Sequence, residues 1–381
     1  MTVPAPHAPL QGWSGTQAAG VLTWDGALYR SVGEEISSLV QEQLSAARDL
    51  WLEAPARFAR RVGLGPDLAA QVPVQWDFCS TAFCRVDFLL DDMVPVVLEI
   101  NFGTSAGGSI DFEAWATSAG ASTDDGPNRE RMRWVAQRAR DLRARRVVIP
   151  VWPWLGSDDP EEYFASTCGY LREFGTCPVL VPLDRVLAET DATRDVLLRL
   201  FALQDAHANG FDARQFGYGA SSSLTWLCGE FSTALSSKAL LASKALQTSG
   251  LRAVARTHVL GSSMAGFETI SVAEAVARRE SLVLKPVDGL GGVGVTFGRA
   301  TAPDEWAARC AGAGAGRWVA QQVATPDLVP TPHGPCAVVW GMYLVQGRPA
   351  GVLARFVPAD AGRDRVINGH AGAMLTATVT T

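Results

Sequence analysis

Apolar positions along this chain follow two rhythms. Over residues 34–51, and again over 56–62, they recur every three or four residues, the spacing of a helix that buries one stripe. From residue 74 the texture changes. VQWDFCSTAFCRVDFLLDDMVPVVLEIN is dense in Val, Phe and Ile, is interrupted by turn residues over 91–95, and predicts two strands joined as a hairpin. Residues 127–145 show a charged amphipathic helix. A strand at 147–152, a helix at 161–174 ending at Gly175, a strand at 178–182 and a helix through 191–204 follow. That alternation is the βαβ pattern of a parallel sheet. Further on, SSKALLASKALQTSG predicts one helix running from a Ser N-cap to Gly250. Then come a helix at 271–280, a strand at 282–286, a glycine-rich turn and a strand at 293–297, with further strands at 318–323, 336–345 and 349–357.

Composition narrows the classes. The 381 residues are 48% apolar, ample for a buried core, and the net charge of -6 with no Lys/Arg run argues against nucleic acid or an anionic membrane surface as partner. Residues 1–13 carry no Lys or Arg and no apolar run, so neither a signal nor a transit peptide is expected, and the expected compartment is the cytoplasm. The uncharged stretch 328–347 is broken by Pro330, Pro332 and Pro335, so no membrane segment is expected. Seven cysteines without a CxxC pair or zinc spacing read as reduced and mostly buried. One bias is informative: 30 of the 33 basic residues are arginine, and only Lys238, Lys244 and Lys285 are lysine. A lysine ammonium is a compact point charge suited to phosphate oxygens, so lysines that persist in such a background are candidates for that role.

The hairpin carries the sharpest chemical signal. Centred on Met93, it pairs Arg85 with Asn101, Asp87 with Glu99 and Leu89 with Val97. Because side chains alternate, Arg85, Asp87, Glu99 and Asn101 then share one face, while Val86, Phe88, Leu90, Val96, Leu98 and Ile100 share the other. Carboxylates opposed with Cβ atoms about 4.5–5.5 Å apart repel unless a cation lies between them. Oxygen donors from Asp, Glu and Asn suit Mg²⁺, which keeps waters and shares substrate phosphates. The alternation alone would also suit any half-buried sheet with a wet polar face.

A second signal is LVLKPVDGLGGVGVTFG, with Lys285 at a strand end followed by Gly289, Gly291, Gly292 and Gly294. It matches neither a P-loop nor a dinucleotide-binding turn, since both lead into a helix. A glycine-rich hairpin between strands can instead bring its backbone N–H groups close to a polyphosphate; an ordinary flexible hairpin is the competing reading.

Together these segments resemble the ATP-grasp superfamily in its circularly permuted form, the glutathionylspermidine synthase-like type. The motifs R-V-D at 85–87 and E-I-N at 99–101 come first and the lysines later, and SSKALLASKAL resembles the family's lysine helix. The resemblance covers most of residues 74–370 in outline. It implies an α/β (α+β) fold, a circularly permuted ATP-grasp with a pre-ATP-grasp βαβ domain. The implied divisions are an N-terminal helical segment with the metal-binding strands at 1–126, the pre-ATP-grasp-like domain at 127–235, a lid subdomain with lysines and glycine loop at 236–325, and remaining core strands at 326–381.

It also implies roles. Asp87, Glu99 and Asn101 would hold Mg²⁺, and Arg85 would lie against the transferring γ-phosphate of ATP. Lys238 and Lys285 would contact the nucleotide phosphates beneath a lid formed by Gly289, Gly291, Gly292 and Gly294. Gln321 or Gln322, which alternation places on opposite faces, would hold adenine. Lys244 is expected to point to solvent. Gly107, in the small-residue run after E-I-N, and Arg355 and Asn368 are candidate substrate contacts.

The implied activity is an ATP-dependent carboxylate-amine ligase: a small-molecule carboxylate is activated as an acylphosphate and captured by an amine, releasing ADP and phosphate. A thiol acceptor on a carrier protein and a nucleotide-binding protein without turnover stay open, as does a homodimer. No nucleophile or base signature appears, and the five histidines are scattered. Trp152 and Trp154 end a strand where α/β ligand sites form; aromatics lining a pocket there would suit a bulky, planar acyl substrate, and packing is the plainer reading.

Overall fold

The computed structural model describes residues 22–64, 81–118, 126–212, 224–227, 231–248, 254–261, 264–289, 291–313, 317–331, 333–361 and 365–380. The readings of residues 1–13 and 74–80, of Gly250 as a helix stop, and of Cys79 and Cys228 lie outside them. The remaining five cysteines are unpaired, and only Cys177 is exposed. Among the described residues no helix is long and apolar enough to cross a membrane.

The strands described are, in chain order, β1 (Leu22–Trp24), β2 (Phe83–Asp91), β3 (Val94–Phe102), β4 (Arg146–Val151), β5 (Pro178–Pro182), β6 (Asp195–Leu198), β7 (Thr225–Leu227) and β8 (Thr257–Leu260). They continue as β9 (Thr269–Ile270), β10 (Leu282–Pro286), β11 (Thr296–Phe297), β12 (Trp318–Gln322), β13 (Leu328–Thr331), β14 (Gly334–Val345), β15 (Arg348–Pro358) and β16 (Met374–Thr380). They build three sheets: a main sheet in the order β1-β16-β15-β14-β2-β3 with β13 on β14, a second sheet β11-β10-β12-β8-β9, and a parallel sheet β5-β4-β6-β7.

One face of the main sheet is apolar and covered. The helix Gly26–Glu53 starts at Asp25, whose carboxylate accepts from the N–H groups of Ala27 and Leu28. It buries Val32, Ile36, Leu39, Val40, Ala47 and Leu50 at three- and four-residue spacing. These side chains join Val86, Phe88, Trp340, Met342 and Val352 in one core, where each large apolar side chain contributes about 1.5–3 kcal/mol by leaving water. The opposite face of the same strands carries Arg85, Asp87, Tyr343 and Arg355, and this face forms the site.

Five local expectations are corrected. The helix expected over 191–204 is instead β6, all four residues of which are buried between the parallel neighbours β4 and β7. A short apolar run buried on both faces has no period to read. The single helix expected over 236–250 is divided: residues 238–242 form a 3-10 turn, Ser243 is extended and bridges Phe267, and a helix resumes at Lys244–Thr248. All five side chains of the turn are buried, so the segment has no solvent stripe to hold it as an amphipathic helix. Lys244 is exposed, as expected. The strand expected over 293–297 shrinks to β11, because the glycine loop extends through Val295. The first segment, read as helix and loop alone, also supplies β1, which pairs in parallel with β16.

The fifth correction is register. Asp92 and Met93 both take positive φ, making a two-residue turn between the paired residues Asp91 and Val94. Arg85 still faces Asn101 and Asp87 faces Glu99, but Phe88 faces Val97 and Leu89 faces Val96. The extra residue, Leu98, is accommodated in a bulge at Asp87/Phe88. Val97 therefore joins the covered core with Phe88, while Leu98 turns to the other face beside Leu89.

Candidate functional site

The cleft forms where the polar face of the main sheet meets the second sheet and its glycine loop. Arg85 and Asp87 come from β2, Glu99 and Asn101 from β3, Lys285 from β10, Gln321 from β12 and Arg355 from β15, and Lys238 stands at the start of the 3-10 turn after its Ser237 cap.

Arg85 grips Asp87 with two bonds, Nε to Oδ1 at 2.7 Å and Nη2 to Oδ2 at 3.0 Å, and its Nη1 donates to the Gly107 carbonyl at 2.6 Å. The Tyr343 hydroxyl donates to the same carbonyl at 2.9 Å. Arg355 reaches Asp87 from the far side, with Nη2 2.7 Å from Oδ1. This crossing needs Gly341 on the intervening strand β14. A Cβ there would lie 2.9 Å from Arg85 Cδ and 3.0 Å from Asp87 Oδ1. Asn101 Nδ2 donates to Asp87 at 3.2 Å and to Glu99 at 3.4 Å, so both carboxylates and the amide converge.

Lys238 Nζ lies 3.2 Å from Glu99 Oε2 and donates to the Gly289 carbonyl at 2.7 Å, tying the loop to the carboxylate. Lys285 Nζ donates to Gln321 Oε1 at 2.6 Å. Gln321 in turn donates to Thr257 Oγ1 at 3.0 Å and to the Leu98 carbonyl, which the bulge faces away from the ladder, at 3.3 Å. Gln321 is thus the buried member of its pair, and the Gln322 side chain is exposed at the cleft rim. In the loop, Gly291, Gly292 and Gly294 take positive φ, and a Cβ at Gly292 would meet Val366 Cγ1 at 2.4 Å.

The charges do not balance within the protein. Arg85, Arg355, Lys238 and Lys285 are all buried, against two carboxylates. Burial favours a neutral Glu99, yet Lys238 and Lys285 outweigh it and hold the carboxyl below its usual range. Burial brings the Lys285 ammonium down to about 8 against the attraction of Glu99. Burial also disfavours the Arg85 charge, and Asp87 outweighs it, so the guanidinium is held more firmly protonated than usual. Arg355 Nε and Nη2 are buried with no hydrogen-bond acceptor, the contact of Nη2 to Asp87 being an ion pair without hydrogen-bond alignment. A buried cationic surplus with unspent donors is chemically suited to a polyanion. Among the described residues no group of three or more His, Cys, Asp or Glu could hold a metal. Two carboxylates and an amide fit Mg²⁺ as a partial shell completed by water and phosphate oxygens, as that ion prefers.

Of the residues singled out in the sequence, Asp87, Glu99, Lys238, Lys285, Gly289, Gly292, Gln321, Gln322, Arg355 and Asn368 line this cleft. Arg85, Asn101, Gly107 and Gly291 line an adjoining cavity that shares Glu99, Arg355 and Asn368. Gly294 turns instead toward Pro286 and Trp318. Sequence reasoning missed Tyr343, Thr257 and Gly341. Of these only Gly341 left a signal, a lone glycine inside the apolar run VVWGMYLV, which marks close approach of neighbouring groups.

The three sheets and the cleft between them define a mixed α/β protein with a glutathione synthetase-like fold. No family model matches the chain, and no curated protein matches it. Among solved structures it is similar to the glutathione synthetase-like effector of Globodera pallida in apo form, with a TM-score of 0.53 and 9% identity over 96% of this chain and 90% of that one. A protein described as a candidate gamma-glutamylcysteine synthetase from Methylobacillus flagellatus KT aligns over 94% of this chain and 90% of its own, at 9% identity and a TM-score of 0.45, too distant to support any inference.

Proposed function

We propose that this protein is an ATP-dependent carboxylate-amine ligase of the ATP-grasp type. The observation that carries the reading is the meeting of Asp87, Glu99 and Asn101 with a surplus of buried cations beneath a glycine loop. When bound, Mg·ATP supplies the phosphoryl group that activates a carboxylate and the metal charge that eases its transfer.

The chain's own residues position and neutralise. Asp87, Glu99 and Asn101 would hold Mg²⁺, the Glu99 carboxyl held ionised against its burial by Lys238 and Lys285. Lys238 and Lys285 would meet phosphate oxygens, with Lys285 aimed by Gln321. Arg355 keeps its Nε and Nη2 donors for the reacting anions. Arg85 spends three of its five N–H donors on Asp87 and the Gly107 carbonyl, so it orients Asp87 and shapes the Gly107 turn while keeping one donor on each terminal nitrogen for the transferring phosphate. No side-chain nucleophile is required, because positioning and charge stabilisation do the chemistry.

The test is phosphate release from Mg·ATP in the presence of paired carboxylic acids and amines. Release that depends on both members of a pair, with an amide product detected by mass spectrometry, is the expected result. A protein that binds no nucleotide, or that hydrolyses ATP identically with and without every pair, would overturn the reading.

A further inference from the structure

The ligase reading leaves the acyl substrate unnamed, and a second cavity bears on it. Its volume is about 480 Å³, and it opens onto the nucleotide cleft through Glu99, Arg355 and Asn368. It lies at the carboxyl ends of β4 and β6, adjacent parallel strands in the order β5-β4-β6-β7. The chain leaves β4 for β5 on one side and later returns to β6 on the other. The crevice between β4 and β6 is therefore the switch point where open α/β sheets bind ligands. Trp152 and Trp154 follow β4 and Phe201 follows β6, and all three line the cavity.

The rings form one wall. Phe201 lies 5.4 Å from Trp152 and 5.9 Å from Trp154, centroid to centroid, with Trp152 and Phe201 buried behind and Trp154 half-buried. Such a wall rewards a ring over an alkyl body, because offset and edge-to-face geometries add to the gain from burial. The wall shared with the nucleotide cleft holds Arg355, with its buried, acceptorless Nε and Nη2. Asp111 and Asp205 also line the cavity, but each is already engaged within the protein.

We propose that this cavity binds a carboxylic acid with a planar aromatic body, its ring against Trp154 and Phe201 and its carboxylate at Arg355, and that this acid is the acyl substrate of the ligase. The inference rests on the ligase reading for the word substrate and on the cavity alone for the ligand.

Calorimetric titration of the full chain without nucleotide separates the two. The probes are 3-phenylpropionate, its saturated counterpart 3-cyclohexylpropionate, and 3-phenylpropionamide. Expected are binding of the aryl acid at millimolar concentration or below, about fivefold weaker binding of the cyclohexyl acid, and loss of binding for the amide. Trp154→Ala should weaken the aryl acid about tenfold, and Trp154→Phe should retain most of the affinity, with circular dichroism unchanged in both. No binding, equal affinity for the cyclohexyl acid or the amide, or an unaltered affinity in a folded Trp154→Ala overturns the proposal. A parallel Mg·ATP titration reports on the nucleotide cleft. Its failure, with aryl-acid binding intact, would undo the ligase reading and leave the cavity's ligand class standing.

Discussion

Asp87 and Glu99 stand opposite each other in the β2–β3 ladder, and the amide of Asn101 donates to both carboxylates from two residues beyond Glu99. Glu99 is a quarter exposed, at 25%, and faces Lys238, so its charge can be removed without opening the core. Glu99→Gln should lower ADP formation at least about a hundredfold, the scale for losing one electrostatic contact to the reacting groups, with a nearly unchanged thermal melt. Turnover near that of the parent protein would remove Glu99 from the metal set.

Asp87 is a different case, because it is the shared counter-charge of two buried guanidinium groups. Asp87→Asn takes from Arg85 and Arg355 the carboxylate both are paired with, and breaking a buried pair from one side costs about 3–5 kcal/mol. Urea unfolding should show a loss of that order, and a loss below about 1 kcal/mol would mean that the two arginines find other acceptors.

Lys285 tests the distinction between the two basic side chains. Its Nζ is held 2.6 Å from Gln321 in a buried position, where a planar guanidinium is larger and points its donors differently. Lys285→Arg should raise the ATP concentration for half-maximal rate about tenfold or more, as loss of one well-placed charged contact does. An unchanged ATP dependence would dismiss its phosphate role.

Gly341 makes room for the crossing of Arg85, Asp87 and Arg355. In Gly341→Ala the added methyl meets two ion-paired side chains at about contact-violating distance, and overpacking of this kind costs about 1–3 kcal/mol. A lowered melting temperature together with reduced turnover is expected; a variant equal to the parent in both would show that the pair shifts freely.

Glu113 offers a pH test away from the cleft. Burial raises its carboxyl to about 7, with the hydrogen bond from Asn128 only partly opposing this. The folded state therefore holds a proton that the unfolded state releases near its ordinary value of 4.5. The resulting stability is fully present below that value and is lost as pH rises toward about 7, a change of about 3 kcal/mol for a shift of this size. Glu113→Gln should flatten the dependence of melting temperature on pH across this window and raise the melting temperature at pH 8 relative to the parent. A slope identical to that of the parent protein would assign the window to other groups.

Much of the site was legible because its signals are local. Pleating alone puts Arg85, Asp87, Glu99 and Asn101 on one face, and the glycines after Lys285 announce a loop needing positive φ. The failures were equally physical. The two-residue turn at Asp92 and Met93 contains no glycine to mark it, so the bulge that re-aims Leu98 left no trace in the sequence pattern. β6 and the turn carrying Lys238 are buried on all sides and have lost the period by which elements are recognised. The choice between Gln321 and Gln322 waited on how β12 seats between β8 and β10.

The sequence by itself determined the chemical parts: two carboxylates and an amide in pleat register, three lysines kept among thirty arginines, and a glycine loop beside one of them. Alternation along a strand and the conformational demands of glycine act over a few residues, so they can be read directly. Tertiary structure alone decided that Arg355 crosses β14 over Gly341 to Asp87, that Lys238 meets Glu99 across the cleft, and that Trp154 and Phe201 face the same cavity. Those meetings join residues far apart in the chain, and they follow from how the sheets pack, which no local pattern encodes.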